Sequence, residues 1–170
     1  MTKIQVIRPY VEKTVKELLG TEQLEATDDG TIPIRRGSTA VYVRLMDEEP
    51  PTLQVFSPLL QGVQKSPELL ERLNAINGSL RFARLFWVAD KVVVAAELDA
   101  ETLDKEEIRT AVDVVSGVAD DLDDQLRTDF GGEVLFPEPI GEPAEGELPP
   151  PPPPEEKATE RPPSAEVGYL

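Results

Sequence analysis

Residues 119–126, ADDLDDQL, set four carboxylates within five positions: Asp120, Asp121, Asp123 and Asp124. Two enzyme signatures overlap there. Asp120, Asp121 and Asp124 spell the DDxxD that holds magnesium against an isoprenoid diphosphate, and Asp121, Asp123 and Asp124 spell the DxDD of acid-initiated terpene cyclases. Either chemistry needs carboxylates that converge on an enclosed site, where a metal and a diphosphate displace water. A helical projection predicts the opposite. With Val115 at zero and about 100° per residue, Ile108, Ala111, Val112, Ala119, Leu122 and Leu126 fall within roughly 60° of it. The aspartates fall at roughly 140°, −120°, 80° and 180°, over about half the circumference and away from the apolar stripe. A solvated helix face is expected, with at most weak divalent binding by exposed monodentate ligands. A diphosphate pocket would also need a large helical shell and a second acidic cluster, and the sequence offers neither. A magnesium-dependent enzyme using these aspartates is kept as the alternative from another functional class.

The chain has neither Cys nor His. That removes disulfides, thiol nucleophiles, Cys-based or His-based zinc sites and every acid–base scheme that needs an imidazole. No catalytic residue, metal or cofactor is expected. Arg35-Arg36-Gly37-Ser38 is a basic turn without the glycine spacing of a phosphate loop. The remaining candidates lie in LRFARLFWV, residues 80–88. Trp87, the single tryptophan, packs in the sheet or anchors a peptide, and Arg81 and Arg84 pair with neighbouring acids or receive acidic partner groups.

Those candidates need elements to position them. Tyr10, Val11, Val15, Leu18 and Leu19 share helical spacing, with Pro9 suited to a first turn and Gly20 past the end, which predicts a helix from about Arg8 to Leu19. QLEAT, TIPIRR and the alternating Thr39, Val41, Val43 and Leu45 read as strands. TLQVFSPLL reads as another, which Pro58 should end or push to an edge. Ser66-Pro67 opens a helix over Leu69, Leu70, Leu73 and Ile76 that stops at Asn77-Gly78. LRFARLFWV and KVVVAAEL form a hairpin turning at Ala89-Asp90, and a long helix starts near Asp104 with acids in its first turn. In the hairpin, Leu80, Phe82, Phe86 and Val88 alternate with Arg81, Ala83, Leu85 and Trp87, so both faces carry apolar bulk. One face is therefore covered by chain of unknown placement or offered to a partner.

Composition divides the chain. Of 17 prolines, 11 follow Phe136, among mostly Glu, Ala and Gly, a mixture that cannot bury enough apolar surface to offset its ordering entropy. The expected organisation is a domain over 1–134 and a disordered acidic, proline-rich tail over 135–170. The run of six prolines at 149–154 presets polyproline II geometry, serving as a stiff spacer or as a ligand for an aromatic groove. Residues 137–170 carry eight Glu against Lys157 and Arg161, a net of −6 out of the chain's −16, and twelve further acids lie within 99–133. Such a chain is repelled by nucleic acid and by anionic membrane surfaces. No apolar run approaches membrane-spanning length, and MTKIQVIRPYVEK has no uncharged core of signal-peptide type, so a cytoplasmic protein is expected.

Residues 75–132 resemble the YbjN family, bacterial domains of the type III secretion chaperone-like class. The match rests on a short helix closing in Ile76-Asn77, the strand LRFAR, the hairpin into VVAAEL and a long helix with Asp-rich turns before FGG; with the N-terminal elements it covers about residues 4–132. The resemblance implies an α+β sandwich of antiparallel sheet and helices, often homodimeric, described as peptide-binding and chaperone-like or as a sensory-transduction regulator, with no catalytic residues to carry over. The expectation is a non-enzymatic, dimeric peptide- or protein-binding module. Its client contact is placed on Arg81, Leu85 and Trp87, beside an edge strand able to take an extended peptide. An adaptor acting through its proline-rich tail is the other non-enzymatic reading.

Overall fold

A computed structural model describes residues 3–36 and 39–135. Its elements run α1 (Lys3–Leu19), β1 (Ile32–Arg36), β2 (Thr39–Met46), β3 (Thr52–Gln61), α2 (Pro67–Asn77), β4 (Arg84–Val88), β5 (Lys91–Asp99), α3 (Lys105–Phe130) and β6 (Glu133–Val134). The strands form one antiparallel sheet in the order β1-β2-β3-β5-β4, with β6 added alongside the end of β3. This is the expected α+β class. The tail expected from 135 onward lies outside the described residues apart from Leu135.

All three helices pack on one face of the sheet. Val11 and Val15 of α1, Leu69, Leu73 and Ile76 of α2, and Ile108, Ala111, Val112, Val115, Ala119 and Leu126 of α3 meet inward residues of the strands, among them Val41, Val43, Leu53, Val55, Val92 and Val94. Burial of these side chains supplies the dominant stabilisation. Local signals fix the helix starts. The Ser66 hydroxyl accepts from the Leu69 amide at 3.1 Å at the head of α2. Asp104 and Glu107 form a reciprocal capping box on α3, their side chains accepting from each other's backbone N–H at 2.8 and 3.0 Å.

Four elements differ from the sequence expectation. Helix α1 starts at Lys3 and runs through Pro9. Ile4 is buried, and Ile7 packs on the core four residues ahead of Val11, so the apolar stripe continues upstream and its burial outweighs the hydrogen bond that Pro9 cannot make. QLEAT forms no strand and belongs to the loop between α1 and β1, where Thr27 N donates to Thr31 O at 2.9 Å and the Asp29 carboxylate accepts from the Thr31 amide at 3.1 Å.

Pro58 neither ends β3 nor sits on an edge strand. It lies within a central strand, where the register against β5 shifts between Pro58 and Leu60. On the opposite side β2 pairs only as far as Phe56 and β6 begins at Leu60, so a residue without an N–H falls where no ladder partner is present. The fourth difference is β4, which starts at Arg84 and not at Leu80. Phe82 takes φ +64, a left-handed conformation costly for a bulky side chain, and it breaks the strand before Ala83. Gly132 is needed at the far end: a Cβ there would sit 2.7 Å from the Gln61 carbonyl oxygen, so only glycine lets β6 approach β3 this closely.

Candidate functional site

The hairpin β4–β5 distributes its side chains by alternation. Leu85, 3% exposed, joins the core beneath the helices. Trp87 points the same way and is half-buried; its indole Nε1–H donates to the Val63 carbonyl at 2.8 Å, and the Lys65 ammonium lies 5.7 Å from its ring centre. Arg81 is exposed but lies in the bend ahead of the strand. Arg81, Leu85 and Trp87 therefore do not form one outward surface: alternation turns Leu85 and Trp87 to the helix side, and the break at Phe82 removes Arg81 from the strand.

Edge strand β4 is not open along its length. The Asn77 side chain reaches across from the end of α2, its Oδ1 accepting from Leu85 N at 2.7 Å and its Nδ2 donating to Leu85 O at 2.8 Å. One amide thus replaces one residue of a neighbouring strand. At the other edge, Pro33 brings no N–H to β1. Both edges are blunted against strand addition.

What remains is the sheet face opposite the helices. Tyr42, Phe56, Val93, Ala95 and Ala40 form a second apolar cluster there, joined by Phe86 and Val88, and among the described residues every member comes from a strand. The register explains it: Tyr42 pairs with Phe56, Phe56 with Ala95, and Phe86 with Val93, so residues of like parity line up across β2, β3, β5 and β4. The rings of Tyr42 and Phe56 stack at 5.3 Å between centroids, with the Arg44 guanidinium 5.2 Å from the Phe56 centroid. A polar row borders them. Arg44 Nη2 donates to Gln54 Oε1 at 2.7 Å, Gln54 Nε2 to Glu97 Oε1 at 3.1 Å, and Arg84 Nη2 to that same Glu97 oxygen at 2.8 Å. The Tyr42 hydroxyl is buried with no hydrogen-bond partner among the described residues, and burial pushes its pKa up. Sequence reasoning found the double-sided apolar character of the hairpin but missed Tyr42 and Phe56. Their signal was parity along β2 and β3, and it becomes a surface only once the strand order is known.

The aspartate stretch sits on α3 as the projection predicts, with Ala119 and Leu126 buried and Asp120, Asp121 and Asp124 exposed. Arg127 donates to Asp124 at 2.8 Å. Asp123 is half-buried, and desolvation by the protein, with the charges of Asp124 and Asp120, raises its pKa against the opposing hydrogen bond from the Asp124 amide. Among the described residues, no group of three or more acidic side chains is placed to hold a metal ion. No described helix is long and apolar enough to cross a membrane.

The family model of the type III secretion (YopN, CesT) and YbjN peptide-binding chaperones matches residues 5–138. The chain belongs to this family. Solved structures share the fold. A chain of the ExsC–ExsE complex aligns with a TM-score of 0.58 at 14% identity, over 74% of this chain and 97% of that one. The HopA1–SchA chaperone–effector complex gives 0.56 at 12% identity, over 73% and 98%. The Yersinia pestis type III secretion chaperone SycH, bound to a stable fragment of YscM2, gives 0.53 at 16%, over 68% and 98%. No curated protein matches the chain. Membership in the peptide-binding chaperones agrees with a module that holds another polypeptide, and at these identities the structural likeness speaks for the fold alone.

Proposed function

We propose that the chain is a non-enzymatic, cytoplasmic chaperone-like module that holds an extended segment of a client protein across the sheet face opposite its helices. The observation that carries this reading is the strand-built aromatic surface of Tyr42, Phe56 and Phe86, which no helix residue joins and which an arginine-containing polar row borders. Apolar client side chains would pack on the rings, while Arg84 and Arg44 meet client carbonyls or acids. Arg81 stands exposed three residues ahead of Arg84, and Leu85 and Trp87 support the surface from the core side. The chemistry needed is burial and hydrogen bonding, which suits a chain without Cys or His.

The test uses extended peptides selected from a displayed random library on the full chain. Phe86→Glu, at a half-buried position, should weaken their binding by tenfold or more while the circular dichroism spectrum is kept, and Trp87→Phe should leave it within about twofold. Undiminished binding to a folded Phe86→Glu chain would remove the face from consideration.

A further inference from the structure

The same face fits a segment of the chain itself. We propose that the acidic, proline-rich residues 137–170 dock on it through the proline run at 149–154 and so compete with client peptide. This inference rests on the assignment of that face as the peptide surface.

Three observations converge. Tyr42 and Phe56 are each 1% exposed, although every apolar member of their cluster among the described residues is a strand residue and the helices pack on the other side. A buried aromatic surface of that kind needs cover from chain outside the sheet. The Tyr42 hydroxyl is a buried donor without a partner among the described residues, and a proline segment is rich in what it lacks: carbonyl acceptors with no N–H beside them. Stacked aromatic rings with a phenolic donor are the means by which grooves read polyproline II, whose preset geometry keeps the entropic cost of docking low.

Charge and reach agree with the chemistry. Arg35, Arg44, Arg84 and Lys91 share the parity of this face, against Glu97, Asp99 and Glu133, so it carries a small positive excess in a chain of net −16. The segment that would meet it holds eight Glu against Lys157 and Arg161. Its starting point is favourable, because β6 pairs with Leu60 and Gln61 of β3 and so delivers the chain to the sheet at Leu135. The 13 residues 136–148 can extend about 43 Å. The four strands β2, β3, β5 and β4 are only about 15 Å across, and six prolines in polyproline II geometry span about 19 Å.

The absence of cysteine makes the test direct, since Ala158→Cys gives a single attachment point for a nitroxide. In the full chain, the label should broaden the amide signals of Phe86, Val93 and Ala95 several-fold more than those of Val115 and Ala119 on α3. Tyr42→Phe keeps the ring stack and removes the donor. It should reduce that broadening, and replacing all six prolines at 149–154 by serine should abolish it. Equal broadening of both layers, or none, would overturn the proposal. So would broadening seen only between a labelled chain and an unlabelled isotope-enriched one, since the occupant would then be a second copy. For peptides selected as above, the proline-to-serine chain should bind about tenfold tighter if the tail occupies the face nine-tenths of the time. Peptide that binds this face in a chain lacking the broadening overturns tail docking alone. Broadening in a chain whose face takes no peptide instead overturns the client reading.

Discussion

Asp123 shows how far one residue can depart from its neighbours in sequence. Asp120, Asp121 and Asp124 are exposed, whereas Asp123 turns toward the margin of the α3 core stripe and is half-buried. Desolvation is the largest influence on it and raises its pKa. A carboxyl whose folded pKa lies above its unfolded value is bound to a proton more tightly when folded, so ionised Asp123 works against folding at neutral pH and its protonation on acidification restores stability. Asp123→Asn should therefore raise the thermal midpoint at pH 7, and the gain should shrink toward zero as pH falls below the ordinary aspartate range. A midpoint gain that persists unchanged in acid would refute the desolvation account. Asp29 behaves oppositely. Its side chain accepts from the Thr27 hydroxyl and the Thr31 amide, which lower its pKa, so its contribution is present at neutral pH and lost on acidification.

At the scale of elements, the informative feature is how the sheet ends. An antiparallel sheet with two exposed edges invites pairing with other chains. Here the amide of Asn77 satisfies both outward backbone groups of Leu85, and it does so from a helix terminus, which also ties α2 to β4. Asn77→Ala should cost about 1–3 kcal/mol in chemical denaturation, since two partly buried hydrogen bonds are lost and their backbone partners stay behind. The Leu85 amide should also exchange with solvent much faster than that of Val94, whose strand β5 is paired on both sides. Equal protection of the two amides in the variant would show that Asn77 does not guard the edge. The position of Asn77 at the end of α2 was visible in the sequence. Its partner was not, because the seven residues between Asn77 and Leu85 include the break at Phe82 that brings them together.

At the scale of the whole molecule, the described residues leave four large apolar side chains exposed, Val6 and Tyr10 on α1 and Leu70 and Phe82 in the middle of the chain. Leu70 of α2 is 39% exposed, and Phe82, ahead of β4, is 77% exposed with φ +64, a strained backbone that a contact with another chain would account for. Both would be buried if two copies met through the α2–β4 end, leaving the aromatic sheet face of each copy to its peptide. Phe82→Asp should then convert a dimer into a monomer in sedimentation equilibrium, with the fold retained because Phe82 contributes nothing to either core cluster. A native chain that sediments as a monomer, or a variant that stays dimeric, would exclude this interface.

The sequence by itself determined the class of fold, the three helices, the hairpin β4–β5 and the exclusion of thiol and imidazole chemistry. These follow from periodicity, caps, turn residues and composition, which act over a few neighbouring positions. It also settled the orientation of the aspartates, because a helix fixes the direction of each side chain relative to its own stripe. The tertiary structure decided the rest. Strand parity says which residues share a face but not which face the helices cover, so Leu85 and Trp87 read as a surface until the sheet order placed them beneath the helices. The same order assembled Tyr42, Phe56 and Phe86, up to 44 positions apart, into one aromatic surface. Pro58 is tolerated for a similar reason: the partner strands on one side stop and restart around it, a gap that no local rule could foresee.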